Sequence, residues 1–197
     1  MRLKSLAIAL VSLAGTTESV QAQAAPEPRK MSWAVESDVL SYGLSGYSGI
    51  LSVTSKKGLQ AALGFGRYDV PTFLLEGDAN YEAAKWKATA TSVQVFRTTY
   101  RFKGPMKNGL ALGAVVLNQN FTLSAENLAG ESKFQQLSVG ATAGYYIHVG
   151  KHFYIYPTTA FTHNSVVSGK NSLEGTTYNV PKWAPNASLH MGWEWSR

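Results

Sequence analysis

Three groups of residues in this chain have the types and spacing to do chemistry. His163 and Ser165 stand two apart in Phe161-Thr162-His163-Asn164-Ser165. On a strand that spacing puts both on one face, where an imidazole beside a hydroxyl is a candidate for acid–base or nucleophilic work. Glu36, Asp38, Arg97, Arg101 and Glu194 are charges that a period of two assigns to one common side. His148 and His152 make an H-x3-H pair. On a helix that pair would share a face; here it spans a turn with no third ligand evident, so no metal is expected. Gly64-Phe65-Gly66 lies inside a strand pattern, without the strand–turn–helix setting of a nucleotide fingerprint. Its better reading is relief of crowding, and no cofactor is expected.

The elements that must position these residues are strands. From Lys133 to Ser165 two alternating segments meet at Val149-Gly150-Lys151-His152. Leu137, Val139, Ala141, Ala143, Tyr145, Ile147 and Val149 fall on one face; Gln136, Ser138, Gly140, Thr142, Gly144, Tyr146 and His148 fall on the other. Phe153, Ile155, Pro157, Thr159 and Phe161 then alternate with Tyr154, Tyr156, Thr158, Ala160 and Thr162. A period of two means β-strand, but about fifteen alternating residues is well over the usual strand length. One apolar face, one small or polar face and aromatics near the ends suit a transmembrane β-barrel.

The same rhythm runs through the rest of the chain. Trp33 to Tyr42 and Tyr47 to Thr54 read either as two strands about Gly43-Leu44-Ser45-Gly46 or as one bent strand. Ser55-Lys56-Lys57-Gly58 is a tight turn, and the strand from Leu59 is ended by Pro71. Further strands are expected at 88–102, from Leu110 to the polar Asn118-Gln119-Asn120, at 133–149, at 153–165 and at 186–195. Reading back from Trp195, the connections run long (165–185), short (149–152), medium (124–132), short (103–109), long (71–87) and short (55–58). Outer-membrane barrels alternate short periplasmic turns with long external loops and have even strand numbers. The pattern predicts an all-β, eight-stranded antiparallel up-and-down barrel. The segment 165–185 is expected to extend its flanking strands or to add a small hairpin at Thr176 to Val180.

The start of the chain supplies a compartment. Arg2 and Lys4 precede an apolar run from Leu6 to Ala14, and Ala22-Gln23-Ala24 offers a small-residue cleavage site. That is the form of a secretory signal peptide, too short to span as a helix. The expected division is a cleaved signal peptide over 1–24, a periplasmic tether over 25–32 and a barrel over 33–197. Removing Arg2, Lys4 and Glu18 leaves 16 basic and 11 acidic residues, a net charge of +5. That excess suits an anionic lipid surface. Nucleic acid is not an expected partner, because the basic residues are scattered and no binding signature gathers them. There is no cysteine, which removes disulfides and thiolate metal sites.

Two resemblances arise from these residues. The signal peptide, strand rhythm and aromatic terminal strand resemble small Gram-negative outer-membrane barrels of the OmpX/OmpW class. The closing strand, with Trp193 and Trp195 on its apolar face, is similar to the C-terminal signature of such barrels, although Ser196 and Arg197 follow Trp195. The resemblance implies a monomer in the cell outer membrane, in contact with membrane lipid and lipopolysaccharide. It also implies insertion by the barrel-assembly machinery through the terminal strand. Separately, His163-x-Ser165 at the outer end of a late strand resembles the PagL-type lipid A deacylases. That family implies His163 as base, Ser165 as nucleophile and a carboxylate such as Glu174 orienting the imidazole, although Val166 replaces the asparagine that follows its serine. The plainer reading, polar side chains at a barrel rim, is the one we favour, and an enzyme is not the leading expectation.

The remaining candidates have structural readings. The inward charges Glu36, Asp38, Arg97, Arg101 and Glu194 are expected to pair as a plug, since unpaired charge in a narrow barrel is costly. Trp33, Tyr100, Phe102, Tyr145, Phe153, Trp193 and Trp195 read as an aromatic girdle near the periplasmic strand ends. The expected function is a structural or interaction barrel with a largely filled lumen and external loops as its contact surface. A narrow, porin-like pore for small solutes and a lipid A-modifying esterase are the alternatives.

Overall fold

A computed structural model describes residues 30–196. The expected signal peptide, 1–24, and the first part of the tether, 25–29, lie outside the described residues. Alternating sequence becomes a ring. The strands are β1 (Ser32–Asp38), β2 (Tyr47–Thr54), β3 (Leu59–Asp69), β4 (Trp86–Arg101), β5 (Gly109–Ala125), β6 (Glu131–Val149), β7 (Phe153–Gly169), β8 (Ser172–Leu173), β9 (Thr176–Thr177) and β10 (Trp183–Ser196). Among the described residues, β1 to β7 and β10 form one closed antiparallel barrel, each paired with its sequence neighbour in the ring and β10 closing against β1. The pair β8–β9 stands apart as a small hairpin. Eight strands close up-and-down, as alternation and loop rhythm predict.

Trp33 to Thr54 is two strands, because β1 ends at Asp38. There the Asp38 carboxylate accepts the Leu40 N–H at 3.1 Å and caps a short helix, α1 (Val39–Gly43). The expected strand from Trp33 to Tyr42 is therefore shortened. A capping aspartate offers the backbone a helical turn where the imperfect alternation suggests more strand. Two further helical turns, α2 (Thr72–Leu75) and α3 (Tyr81–Ala84), occupy the long connection after Pro71.

The barrel is lopsided. β4 to β7 run for 16, 17, 19 and 17 residues, whereas β1, β2 and β3 have 7, 8 and 11. The tall wall explains three differences from the sequence reading. β5 continues to Ala125 and β6 starts at Glu131, so the medium loop is shorter than 124–132. β7 continues to Gly169, and β10 begins at Trp183 with Pro185 inside it. The outer hairpin exists, but over 172–177, with its turn at Glu174-Gly175, both at positive φ. One end of the barrel thus carries the connections 55–58, 102–108 and 150–152, without helix or added hairpin, and the other carries α1, α2, α3 and the β8–β9 hairpin.

Glycines set how closely the inner side chains pack. A Cβ at Gly192 would lie 2.3 Å from the Tyr154 ring, and one at Gly144 would lie 2.5 Å from Tyr156. Both tyrosines are fully buried. Replacing Gly192 with valine is expected to destabilise the barrel by about 1–3 kcal/mol through overpacking. Urea unfolding in detergent micelles, followed by tryptophan fluorescence, measures it.

Candidate functional site

The inward face of the lower barrel is a polar plug built on two ion pairs. Arg97 Nη2 donates to Glu36 Oε1 at 2.6 Å. Arg101 grips Glu194 with both terminal nitrogens, at 2.8 and 3.2 Å. All four side chains are buried, so each pair is desolvated together. Glu194 also accepts from Ser32 Oγ at 2.5 Å, His148 Nε2 at 2.9 Å and the Met106 N–H at 3.3 Å. This saturates a carboxylate that would otherwise be very costly to bury.

A tyrosine stack spans the space between the pairs. The Tyr146 and Tyr156 rings lie parallel with centroids 4.0 Å apart. The Arg101 guanidinium sits 3.8 Å from the Tyr146 centroid, and that of Arg97 sits 5.1 Å from Tyr156. Cations on desolvated aromatic faces add attraction beyond the ion pairs. Gln60 joins the layers: its Oε1 accepts from Tyr146 Oη at 2.9 Å and Thr99 Oγ1 at 3.0 Å, while its Nε2 donates to Thr54 Oγ1 at 3.2 Å.

Of the five charges assigned to the lumen, the structure joins four in two pairs. Asp38 is elsewhere: it caps α1 and accepts the Leu189 N–H at 3.1 Å. The two histidines of the H-x3-H pair both reach Glu194. His148 bonds its carboxylate and His152 Nδ1 donates to its backbone oxygen at 2.8 Å. Sequence reasoning does not single out Gln60, Tyr146, Tyr154 or Tyr156 for the plug. Their inward phase is readable, but not which cross-barrel partner each finds.

His163, Ser165 and Glu174 are not assembled. His163 and Ser165 are exposed on the outer wall, with the His163 ring edge-on to Trp183 at 4.8 Å. Glu174 lies in the β8–β9 turn. Among the described residues no hydrogen bond links any two of the three, so the deacylase-like arrangement is unsupported.

The outer wall carries the more informative geometry. Near the turn end Trp33, Tyr100, Phe102, Tyr145, Trp193 and Trp195 are exposed and Phe153 is half-buried. Trp33 pairs across strands with Trp195, and Trp193 with Phe153. Above them Leu63, Phe65, Phe96, Leu112, Val139 and Phe161 continue an exposed apolar belt. The belt stops at a ladder of amides. Asn118 Nδ2 donates to Gln94 Oε1 at 3.2 Å, Gln135 Nε2 to Asn118 Oδ1 at 2.8 Å, and Ser168 Oγ to Gln135 Oε1 at 3.1 Å. One polar row thus crosses the outer face of β4, β5, β6 and β7.

Beyond the ladder the two faces exchange polarity. Trp86, Ala88, Ala90, Phe121, Leu123 and Phe134 are buried inward, while Lys87, Asn120 and Lys133 face out. Leu75 of α2, Ala84 of α3 and Leu173 of β8 close this apolar core from above. Asp78 holds the lid parts together, accepting from Trp86 Nε1 at 3.2 Å and the Asn179 N–H at 2.6 Å. Burial pushes the Tyr178 hydroxyl in this cap up to about 12, with the Asp78 carboxylate adding to the shift. Its protonated form therefore stabilises the cap below the free phenol's value of about 10. That contribution is lost as pH rises from there through about 12.

No family model matches the chain, and no curated protein matches it. Among solved structures it is similar to the N-terminal β-barrel domain of Pseudomonas aeruginosa OprF, at 13% identity and a TM-score of 0.48, covering 85% of this chain and 98% of that one. It is also similar to a major outer membrane protein from Thermus thermophilus, at 13% identity and TM-score 0.44, covering 84% and 98%. Neisserial surface protein A gives 13% identity and TM-score 0.43, covering 85% and 95%. At such identity a role must be read from this chain's own surface and lumen.

The plug makes a direct stability prediction. Glu194→Gln leaves Arg101 buried without its counter-charge and is expected to cost about 3–5 kcal/mol. The double variant Arg101→Leu/Glu194→Leu is expected to recover only part of that loss, because Ser32, His148 and the Met106 N–H still lose their acceptor; micellar urea denaturation of both variants tests the pair.

Proposed function

We propose that the protein is an outer-membrane β-barrel with a structural or interaction role, its lumen closed and its capped loop end offered as the contact surface. The observation that carries this reading is the exchange of polarity at the amide ladder. On β4, β5 and β6 the outward face is mainly apolar below Gln94, Asn118 and Gln135 and polar above them. The inward face changes the other way on β4, from Arg97, Thr99 and Arg101 to Trp86, Ala88 and Ala90, and on β6, from Ser138 and Thr142 to Phe134. A strand surrounded by one solvent keeps one phase. Hydrocarbon around the belt and water around the extension account for both halves.

The closed barrel leaves no unpaired strand edge in the hydrocarbon, and the aromatic ring near the tight turns suits the periplasmic interface. The capped end then faces outward from the cell, and the signal peptide expected over 1–24 supplies the route. The terminal strand β10, with Trp193 and Trp195 on its lipid side, is the natural handle for the barrel-assembly machinery. The ion pairs and the Tyr146–Tyr156 stack argue for a filled lumen over a conducting one.

Purified protein is expected to change mobility on heating in detergent gels, and brominated lipid chains are expected to quench its tryptophans. Planar-bilayer recording is expected to show no conductance steps. A protein that stays in the aqueous fraction with heat-insensitive mobility would end the membrane reading; regular conductance steps would end the closed lumen.

A further inference from the structure

The short side of the barrel carries a shallow apolar groove on its outer wall. Gly49 occupies an outward position of β2, between Tyr47 and Leu51, where the pleat would otherwise place a side chain in the membrane. Opposite it across the β2–β3 pair is Phe65. A Cβ at Gly49 would lie 3.1 Å from the Phe65 ring, so the tip of that ring covers the glycine. Val35, Leu51 and Leu63 line the remainder of a groove of about 420 Å³.

A cation stands one outward position beyond the groove. Arg67 follows Phe65 by two residues on the same face of β3, pairs in register with Tyr47, and is exposed. It makes no ion pair among the described residues. Asp69, the next side chain on that face, is engaged by the Thr89 hydroxyl at 2.7 Å. Arg67 lies where the β3–β4 register shifts between Gly66 and Tyr68. The partner residues there, Ala90 to Val93, immediately precede Gln94 of the amide ladder. A guanidinium at that level meets headgroups.

We propose that this groove and Arg67 form a binding site for one phosphorylated glycolipid of the outer leaflet. One acyl chain lies along the groove beside the Phe65 ring, over Val35, Leu51 and Leu63, and a lipid phosphate sits on Arg67. The proposal rests on the membrane reading above and adds a defined lipid, site and residue set to it. The groove is continuous with the hydrocarbon-facing belt, which supplies the chain, and a planar guanidinium matches phosphate in a two-pronged geometry.

Native mass spectrometry of the full chain, folded in detergent micelles and titrated with purified phosphorylated lipid A, tests the site. We expect a single lipid A adduct on the unaltered protein. Its affinity should fall about tenfold in Arg67→Ala, as the loss of a charge-assisted bond implies. A similar fall is expected in Gly49→Leu and with lipid A stripped of its phosphates, while Arg67→Lys should retain part of the binding. Equal adduct formation by Arg67→Ala and the unaltered protein, or by stripped and phosphorylated lipid A, overturns the proposal. Heat-dependent gel mobility is read on every sample. If the unaltered protein lacks it, the membrane reading itself fails. If it is present but lipid A binding ignores these changes, only this site fails. Arg67 is exposed and outside the packed interior, so Arg67→Ala reports on binding even if Gly49→Leu impairs folding.

Discussion

The width of an eight-stranded ring governs this molecule. Its interior has room for side chains and little else, so whatever points inward must fill the space and neutralise itself. Arg97 and Arg101 can be there only because Glu36 and Glu194 are there too, at 2.6 and 2.8 Å. The tyrosines occupy the volume that long charged side chains leave, and their faces lie against the guanidinium groups. Gly144 and Gly192 keep that arrangement feasible by yielding space to Tyr156 and Tyr154. Charge, ring and glycine are solutions to one packing constraint.

The same constraint explains the cap. Where β4 to β7 rise past the amide ladder, the shorter β1 to β3 no longer complete the ring. The tall wall then needs a partner for its inner face. Leu75, Ala84 and Leu173 provide it, brought in by α2, α3 and the β8–β9 hairpin. These segments look like loops in sequence, yet they form a small core of the kind found in soluble proteins. Their polar contacts converge on Asp78, which ties Trp86 and Asn179 to one carboxylate.

Much of the barrel is legible because a period of two survives in sequence whatever surrounds the strand. The inward phase of Glu36, Arg97, Arg101 and Glu194 can be read directly, and so can the outward phase of His163 and Ser165. Asp38 shares the inward phase but goes to a helix cap, because a local hydrogen bond is available before any distant arginine. Glu174 is linked to His163 by resemblance, and the β8–β9 turn holds it apart. The upper strands are underestimated for a different reason. Polar residues such as Asn118, Asn120 and Ser124 resemble the end of a strand when a hydrocarbon-facing belt is expected to continue. They mark a change of surroundings along a strand that does continue.

That change of surroundings also weighs against a soluble alternative. In a two-sheet sandwich the core-facing phase is buried along the whole strand, and the other phase meets water throughout. In β6 the inward Phe134 is buried beside outward Lys133, yet a few residues later inward Ser138 and Thr142 are buried beside outward, exposed Val139 and Ala141. No single water-facing side can account for both stretches. A second sheet or helix covering Val139 would have to stop at Gln135, and the barrel is already closed on itself without one. An apolar solvent with a defined edge, at the level of the amide ladder, accounts for both stretches.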